Sequence, residues 1–125
     1  MKKFLIVFLI LFLPLASFSK DSYIELLDKF YLNTDSVTPN VKTASMNFWI
    51  KIINGSKFYP ANVKDSNYVL QNWEISCPNK TFSILVTHIY DKNSNPIDST
   101  YNSFVNEIIV PDTMPDILYS YYCQK

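Results

Sequence analysis

The chain has 125 residues, 48% of them hydrophobic and 18% charged, with 11 basic residues against 11 acidic ones and a formal net charge of zero at pH 7. That composition builds a core and lacks the low-apolar, high-charge signature of a disordered protein, and the length fits one domain. Every basic residue is a lysine, so bidentate guanidinium recognition is absent, and the balanced charge argues against a nucleic-acid partner.

Lys2 and Lys3 precede an uncharged, mostly apolar run from Phe4 to Ser19 that ends in Ser17-Phe18-Ser19. These are the three zones of a secretory signal, which assigns 1–19 to a signal peptide and 20–125 to the mature domain. A membrane anchor is the rival reading, but spanning takes roughly 18 or more apolar residues, and Pro14 and Ser17 interrupt this run. Cleavage would leave 9 basic residues against 11 acidic ones, a net charge of −2. A lipoprotein signal would need a cysteine directly after the cut, and the first cysteine is Cys77. No lipid anchor is expected, and export places the domain in the periplasm, on the cell surface or outside the cell.

In the mature region, Glu25 to Asn33 reads as a strand, although its apolar positions also fit a short helix. From Met46 the even positions Met46, Phe48, Ile50 and Ile52 are apolar, with Asn47 and Lys51 between them, the period of a half-buried strand. Tyr68 to Cys77 carries Val69, Trp73, Ile75 and Cys77 on one face. Lys80 to Asp91 alternates again, and the short Pro78-Asn79 connection makes these two a hairpin. Beyond Asn93-Ser94-Asn95-Pro96, two short strands are expected over Ile97–Tyr101 and Phe104–Val110, closed by Pro111. The period then changes. Thr113 suits an N-cap, Pro115 is tolerated in the first turn, and Met114, Ile117, Leu118 and Tyr121 share one helical face. The fold class is therefore α+β: an antiparallel sheet of about six strands, mostly a meander, with a C-terminal helix packed on it.

An oxidising compartment turns two cysteines into a disulfide, and one pairing exists within the chain, Cys77 with Cys123. Two unpaired buried thiols are the alternative. A metal site is not expected, because two cysteines and the single His88 do not supply four ligands at any recognised spacing. His88 lies in an alternating strand beside Ile84, Val86 and Tyr90 and reads as structural. Asp112 and Asp116 flank the helix start, where they suit capping, and Asp91 and Asp98 around the asparagine-rich turn offer too few ligands for calcium. No nucleophile, base and orienting acid fall into a motif, so neither an enzyme nor a cofactor is expected. One glycine, Gly55, argues against glycine-cradled phosphate sites. Nine tyrosines, nine phenylalanines and two tryptophans remain; tyrosine suits binding faces because it gives contact area at low entropic cost. Phe58, Tyr59, Tyr119 and Tyr122 are the candidate binding residues, against the alternative that they fill the core.

Four segments in order resemble the surface-adhesin protein E family of small exported bacterial proteins. They are FYLNTDSV (Phe30 to Val37), NFWIKI (Asn47 to Ile52), WEISCPNKTFSIL (Trp73 to Leu85) and FVNEIIVPDT (Phe104 to Thr113). The chain departs from the family at Phe104, where tryptophan is frequent, at Asp112-Thr113, where Gly-Ser is usual, and in lacking the lipid-attachment cysteine of surface-anchored relatives. The resemblance implies a six-stranded antiparallel sheet with a C-terminal helix pinned across it by the disulfide, a tendency to form homodimers, and attachment to host matrix glycoproteins. The expected function is that of an exported bacterial binding protein that adheres to host extracellular-matrix proteins. The alternative is a soluble periplasmic protein of the same fold that inhibits an enzyme or binds a small ligand.

Overall fold

The computed structural model describes residues 22–124, so the signal-peptide reading of 1–19 lies outside the described residues. Seven strands and one α-helix follow in order: β1 (Tyr23–Leu27), β2 (Phe30–Asn33), β3 (Thr38–Asn40), β4 (Ser45–Ile53), β5 (Tyr68–Ser76), β6 (Thr81–Tyr90), β7 (Pro96–Ile108) and α1 (Met114–Cys123). The strands form one antiparallel sheet in the order β1-β2-β4-β5-β6-β7, with β3 also pairing β4.

The alternation read from the sequence sets the two faces. Phe48, Ile50 and Ile52 of β4 lie opposite Trp73, Gln71 and Val69 of β5, and with Phe30, Leu32, Ile75, Ile84 and Ile89 they make the buried face. Helix α1 lays Met114 and Leu118 on that face. Fully burying an aliphatic side chain of this size contributes about 1.5–3 kcal/mol, and this face supplies most of the core. Cys77 follows β5 and Cys123 ends α1; they are bonded, with their Cα atoms 5.5 Å apart. No free cysteine occurs among the described residues.

Three expectations change in detail. The N-terminal segment is a tight hairpin of two strands, turned by Asp28 and Lys29, both at positive φ (49° and 62°). Positive φ at two successive residues matches the right-handed strand twist. Acceptors hold the turn: Lys29 N donates to Glu25 Oε2 at 2.8 Å, and Lys57 N to Asp28 Oδ2 at 2.7 Å. The two short strands expected after Pro96 are one strand of 13 residues. It stays paired because three register shifts, two of them with an asparagine at positive φ (Asn102 and Asn106), absorb the break in alternation. Ser83 Oγ accepts from Asn106 N at 2.9 Å, so the second bulge keeps its donor satisfied.

The helix also rotates relative to the expected stripe. Ile117 and Tyr121 are exposed, while Met114 and Leu118 are buried and Tyr119, Tyr122 and Cys123 pack on the core. The tether at Cys123 selects that face, and the helix therefore reaches Cys123 without unwinding first. At the helix start Thr113 makes no capping bond with its side chain. Its hydroxyl donates to Val110 O at 2.7 Å, and Asp116 Oδ2 instead accepts from Asp112 N at 3.0 Å.

One gap in the ladder is closed by a side chain. β4 pairs β2 as far as Leu32↔Ile50 and pairs β3 from Thr38↔Asn47, which leaves Trp49 between two partner strands. Ser36 Oγ accepts from Trp49 N at 2.9 Å and donates to Asn33 O at 2.7 Å, so one hydroxyl stands in for the missing strand.

Candidate functional site

The four candidate binding residues sit against the core. Phe58 meets Phe30 edge-on with ring centroids 5.3 Å apart, and Tyr122 stacks on Phe48 at 5.8 Å. Tyr59 and Ser66 are hydrogen-bonded through their hydroxyls. Lys80 Nζ lies 5.4 Å from the Tyr119 ring centre. Phe30 and Phe48 both contact Trp73, at 5.5 and 6.4 Å. An aromatic series, Phe58-Phe30-Trp73-Phe48-Tyr122, thus joins the two candidate pairs through the core and not across the surface. Burial raises the phenol pKa values of Tyr59 and Tyr122 above their ordinary 10.0, with Ser66 opposing the rise at Tyr59 and Tyr121 adding to it at Tyr122.

The opposite face has no helix over it among the described residues, and its aromatic side chains cover one another. Tyr68 and Tyr90, paired in register, stack at 4.8 Å, and Lys51 Nζ sits 4.6 Å from the Tyr68 ring centre and 5.8 Å from that of Tyr23. Such cation–π contacts contribute about 0.5–1 kcal/mol each when exposed. Trp49 stacks on His88 at 5.9 Å, and His88 Nδ1 shares a 2.7 Å hydrogen bond with Ser99 Oγ. His88 is structural in this arrangement. It does not share a face with Ile84: the register shift opposite Asn72 and Trp73 adds a residue in β6 and turns Val86, His88 and Tyr90 to the helix-free side.

The exposed apolar surface lies elsewhere, along β7. This strand closes one end of the sheet and pairs only β6. Ile97, Tyr101, Phe104, Val105 and Ile108 are all exposed, Tyr101 to 67% and Ile108 to 76%. Tyr101 pairs Val86 on the helix-free side, whereas Phe104 pairs Ile84 on the helix side, so the strip wraps the edge. Asn102 and Asn106 bulge between these residues, which bends the edge and blocks continuous strand addition. The strip therefore offers side chains, not a backbone ladder. Sequence reasoning missed it because it divided β7 in two; a run of five large apolar residues in 13 was the available signal. Among the described residues no cluster of three or more His, Cys, Asp or Glu could hold a metal ion, and no helix is long and apolar enough to cross a membrane.

A single antiparallel sheet, one C-terminal helix across one face, and a disulfide from the helix end to a central hairpin define a class of small sheet-and-helix domains. Solved structures of Haemophilus influenzae protein E are similar in fold. One crystal form is similar with a TM-score of 0.58, covering 83% of this chain and 88% of its own, at 17% identity. Protein E from a non-typeable strain gives a TM-score of 0.57 over 83% of this chain and 76% of its own, at 18% identity. At such identity the likeness is one of fold, and it bears out the resemblance carried by the four segments. No family model and no curated protein sequence matches the chain.

Proposed function

We propose that the chain is a non-enzymatic exported binding protein that attaches to a host extracellular-matrix protein through the apolar strip of β7. The observation that carries this reading is the strip itself, because five large apolar side chains exposed along one edge strand are the kind of surface that marks an interaction site. Tyr101 and Phe104 supply aromatic anchors of the kind enriched at interfaces. The shared fold with protein E supports the reading, and so does the disulfide, which suits an oxidising compartment outside the cytoplasm. The bulges at Asn102 and Asn106 make the contact one of side chains and disfavour edge-to-edge pairing.

Two measurements test this. A protease that cannot enter intact cells should remove the protein while sparing a periplasmic control; protection would confine the domain to the periplasm and end the adhesion reading. Tyr101→Lys and Ile108→Lys, both at exposed positions, should change stability by no more than about 0.5 kcal/mol and reduce retention on immobilised matrix glycoproteins by about tenfold or more. Unchanged retention in both variants would remove β7 as the surface. Size-exclusion chromatography of the same variants shows whether a homodimer uses the same strip.

A further inference from the structure

A cavity of about 770 Å³ opens between the helix-side face of the sheet, the segment after β4 and the start of α1. That lies within the usual range for small-molecule sites. Phe30, Phe58, Trp73, Phe82 and Phe104 set five aromatic rings in its lining, among aliphatic side chains such as Met114. Of the polar residues in the lining, Gln71 and Thr87 are the buried ones; they are paired in register on β5 and β6 and are 6% and 4% exposed.

The hydrogen bonds of these two residues fix their orientation. Trp73 Nε1 donates to Gln71 Oε1 at 2.9 Å, which assigns the amide oxygen, and Gln71 Nε2 donates to Thr87 Oγ1 at 3.3 Å. An amide nitrogen has two hydrogens and a hydroxyl one. Among the described residues nothing accepts the second Nε2 hydrogen or the Thr87 hydroxyl hydrogen, and an unpaired buried donor is costly. Donors without acceptors inside an apolar wall select a ligand oxygen. A carboxylate would need a cation beside it, because an unpaired buried charge costs far more than a neutral group. The one cation in the lining, Lys57, is exposed with its Nζ 5.4 Å from the Phe58 ring centre, and the carboxylate of Asp112 lines the same cavity. Flat rings fit the aromatic walls by offset or edge contact.

We propose that this cavity binds a neutral, mostly apolar ring compound through a carbonyl oxygen that accepts from Gln71 Nε2 and Thr87 Oγ1. The site goes beyond matrix attachment; it shares Phe104 with the β7 strip but is read out by ligand titration and not by retention on matrix protein, so either reading can fail alone. The chain holds two tryptophans, and Trp49 lies on the helix-free face, so Trp49→Phe leaves Trp73 in the cavity wall as the single reporter. That disulfide-bonded variant is titrated with 6-propionyl-2-(dimethylamino)naphthalene, a neutral fluorescent ketone. 2-(Dimethylamino)naphthalene, which lacks the carbonyl, and 6-(dimethylamino)-2-naphthoate, which carries a carboxylate, are the comparators. The expected result is saturable quenching of Trp73 with one ketone per chain, and an affinity about fivefold or more above either comparator. Thr87→Val should lower the ketone's affinity toward that of the carbonyl-free compound, and Thr87→Ser should restore it. Ser103→Phe, at an exposed lining position, should weaken all three compounds by filling the cavity. The proposal is overturned by an absence of saturable quenching, by a carboxylate that binds as tightly as the ketone, or by ketone affinity unchanged in a folded Thr87→Val protein.

Discussion

Replacing both cysteines by alanine tests how the fold divides between sheet and tether. Cys77 and Cys123 are 46 residues apart in sequence, and the chain-entropy relation assigns about 4 kcal/mol to closing a loop of that size. Small domains are stable by about 5–15 kcal/mol in total, so the bond is a large share, yet the core of β2, β4, β5 and β6 does not contain it. The double variant should remain folded. With a urea m-value of about 1.5 kcal/mol/M, its unfolding midpoint should fall by about 2.7 M. The m-value itself should rise, because the unfolded chain is no longer looped and exposes more surface. Tryptophan fluorescence during a urea titration measures both quantities, with reduced wild type as a second comparison. A midpoint shift below about 0.7 M with an unchanged m-value would show that the loop does not constrain the unfolded state, and would refute the entropic account. Thiol quantification of the unreduced, denatured protein should find almost no free cysteine.

Ser36→Ala leaves Trp49 N between two strands with no acceptor, and should cost about 1–3 kcal/mol in a thermal melt; Ser36→Thr, which keeps the hydroxyl, should recover most of it. Phe48, fully buried between Trp73 and Tyr122, should cost about 3–5 kcal/mol when cut to alanine, and a loss under 1 kcal/mol would mean that the site collapses around the gap. Burial raises the phenol pKa values of Tyr23, Tyr59 and Tyr122 above the ordinary 10.0. The stability they give is therefore fully present below that value and is lost as pH rises through their folded values, because the unfolded chain ionises first. Urea midpoints taken between about pH 8 and pH 11 should stay level and then fall; a midpoint that rises above pH 10 would contradict burial as the cause.

The parts of the fold that the sequence made legible are those where period and burial agree. β4 and β5 keep a period of two along most of their length, Pro78-Asn79 marks the hairpin between β5 and β6, and the two cysteines have one partner each. Two of the parts that were not legible share a cause: non-glycine residues at positive φ. Asp28-Lys29 has no glycine to announce a two-residue turn, so β1 and β2 looked like one element. Asn102 and Asn106 let β7 cross two bulges while its alternation fails, which made one strand look like two. The bulge in β6 moved His88 to the other face by the same arithmetic of period two. The helix stripe was misjudged because hydrophobicity favoured Ile117 and Tyr121, whereas the bond at Cys123 favours Tyr119 and Tyr122. For the candidate site, Phe58, Tyr59, Tyr119 and Tyr122 were chosen for their chemistry, and chemistry alone does not distinguish an aromatic core from an aromatic surface.

Each strand of the meander pairs with strands that lie close to it along the chain, and even β3 finds its partner in β4. Loops closed by such pairings are short, and short loops close quickly. A chain that emerges N-terminus first can thus lay its strands down in order of arrival, each new strand docking on the edge left by the one before. Docking of α1 on the early strands is a different kind of event, because it must reach back across β6 and β7. Assembly therefore has a natural last step, and until it happens Phe48 and Trp73 stay uncovered and β5 lacks its tether.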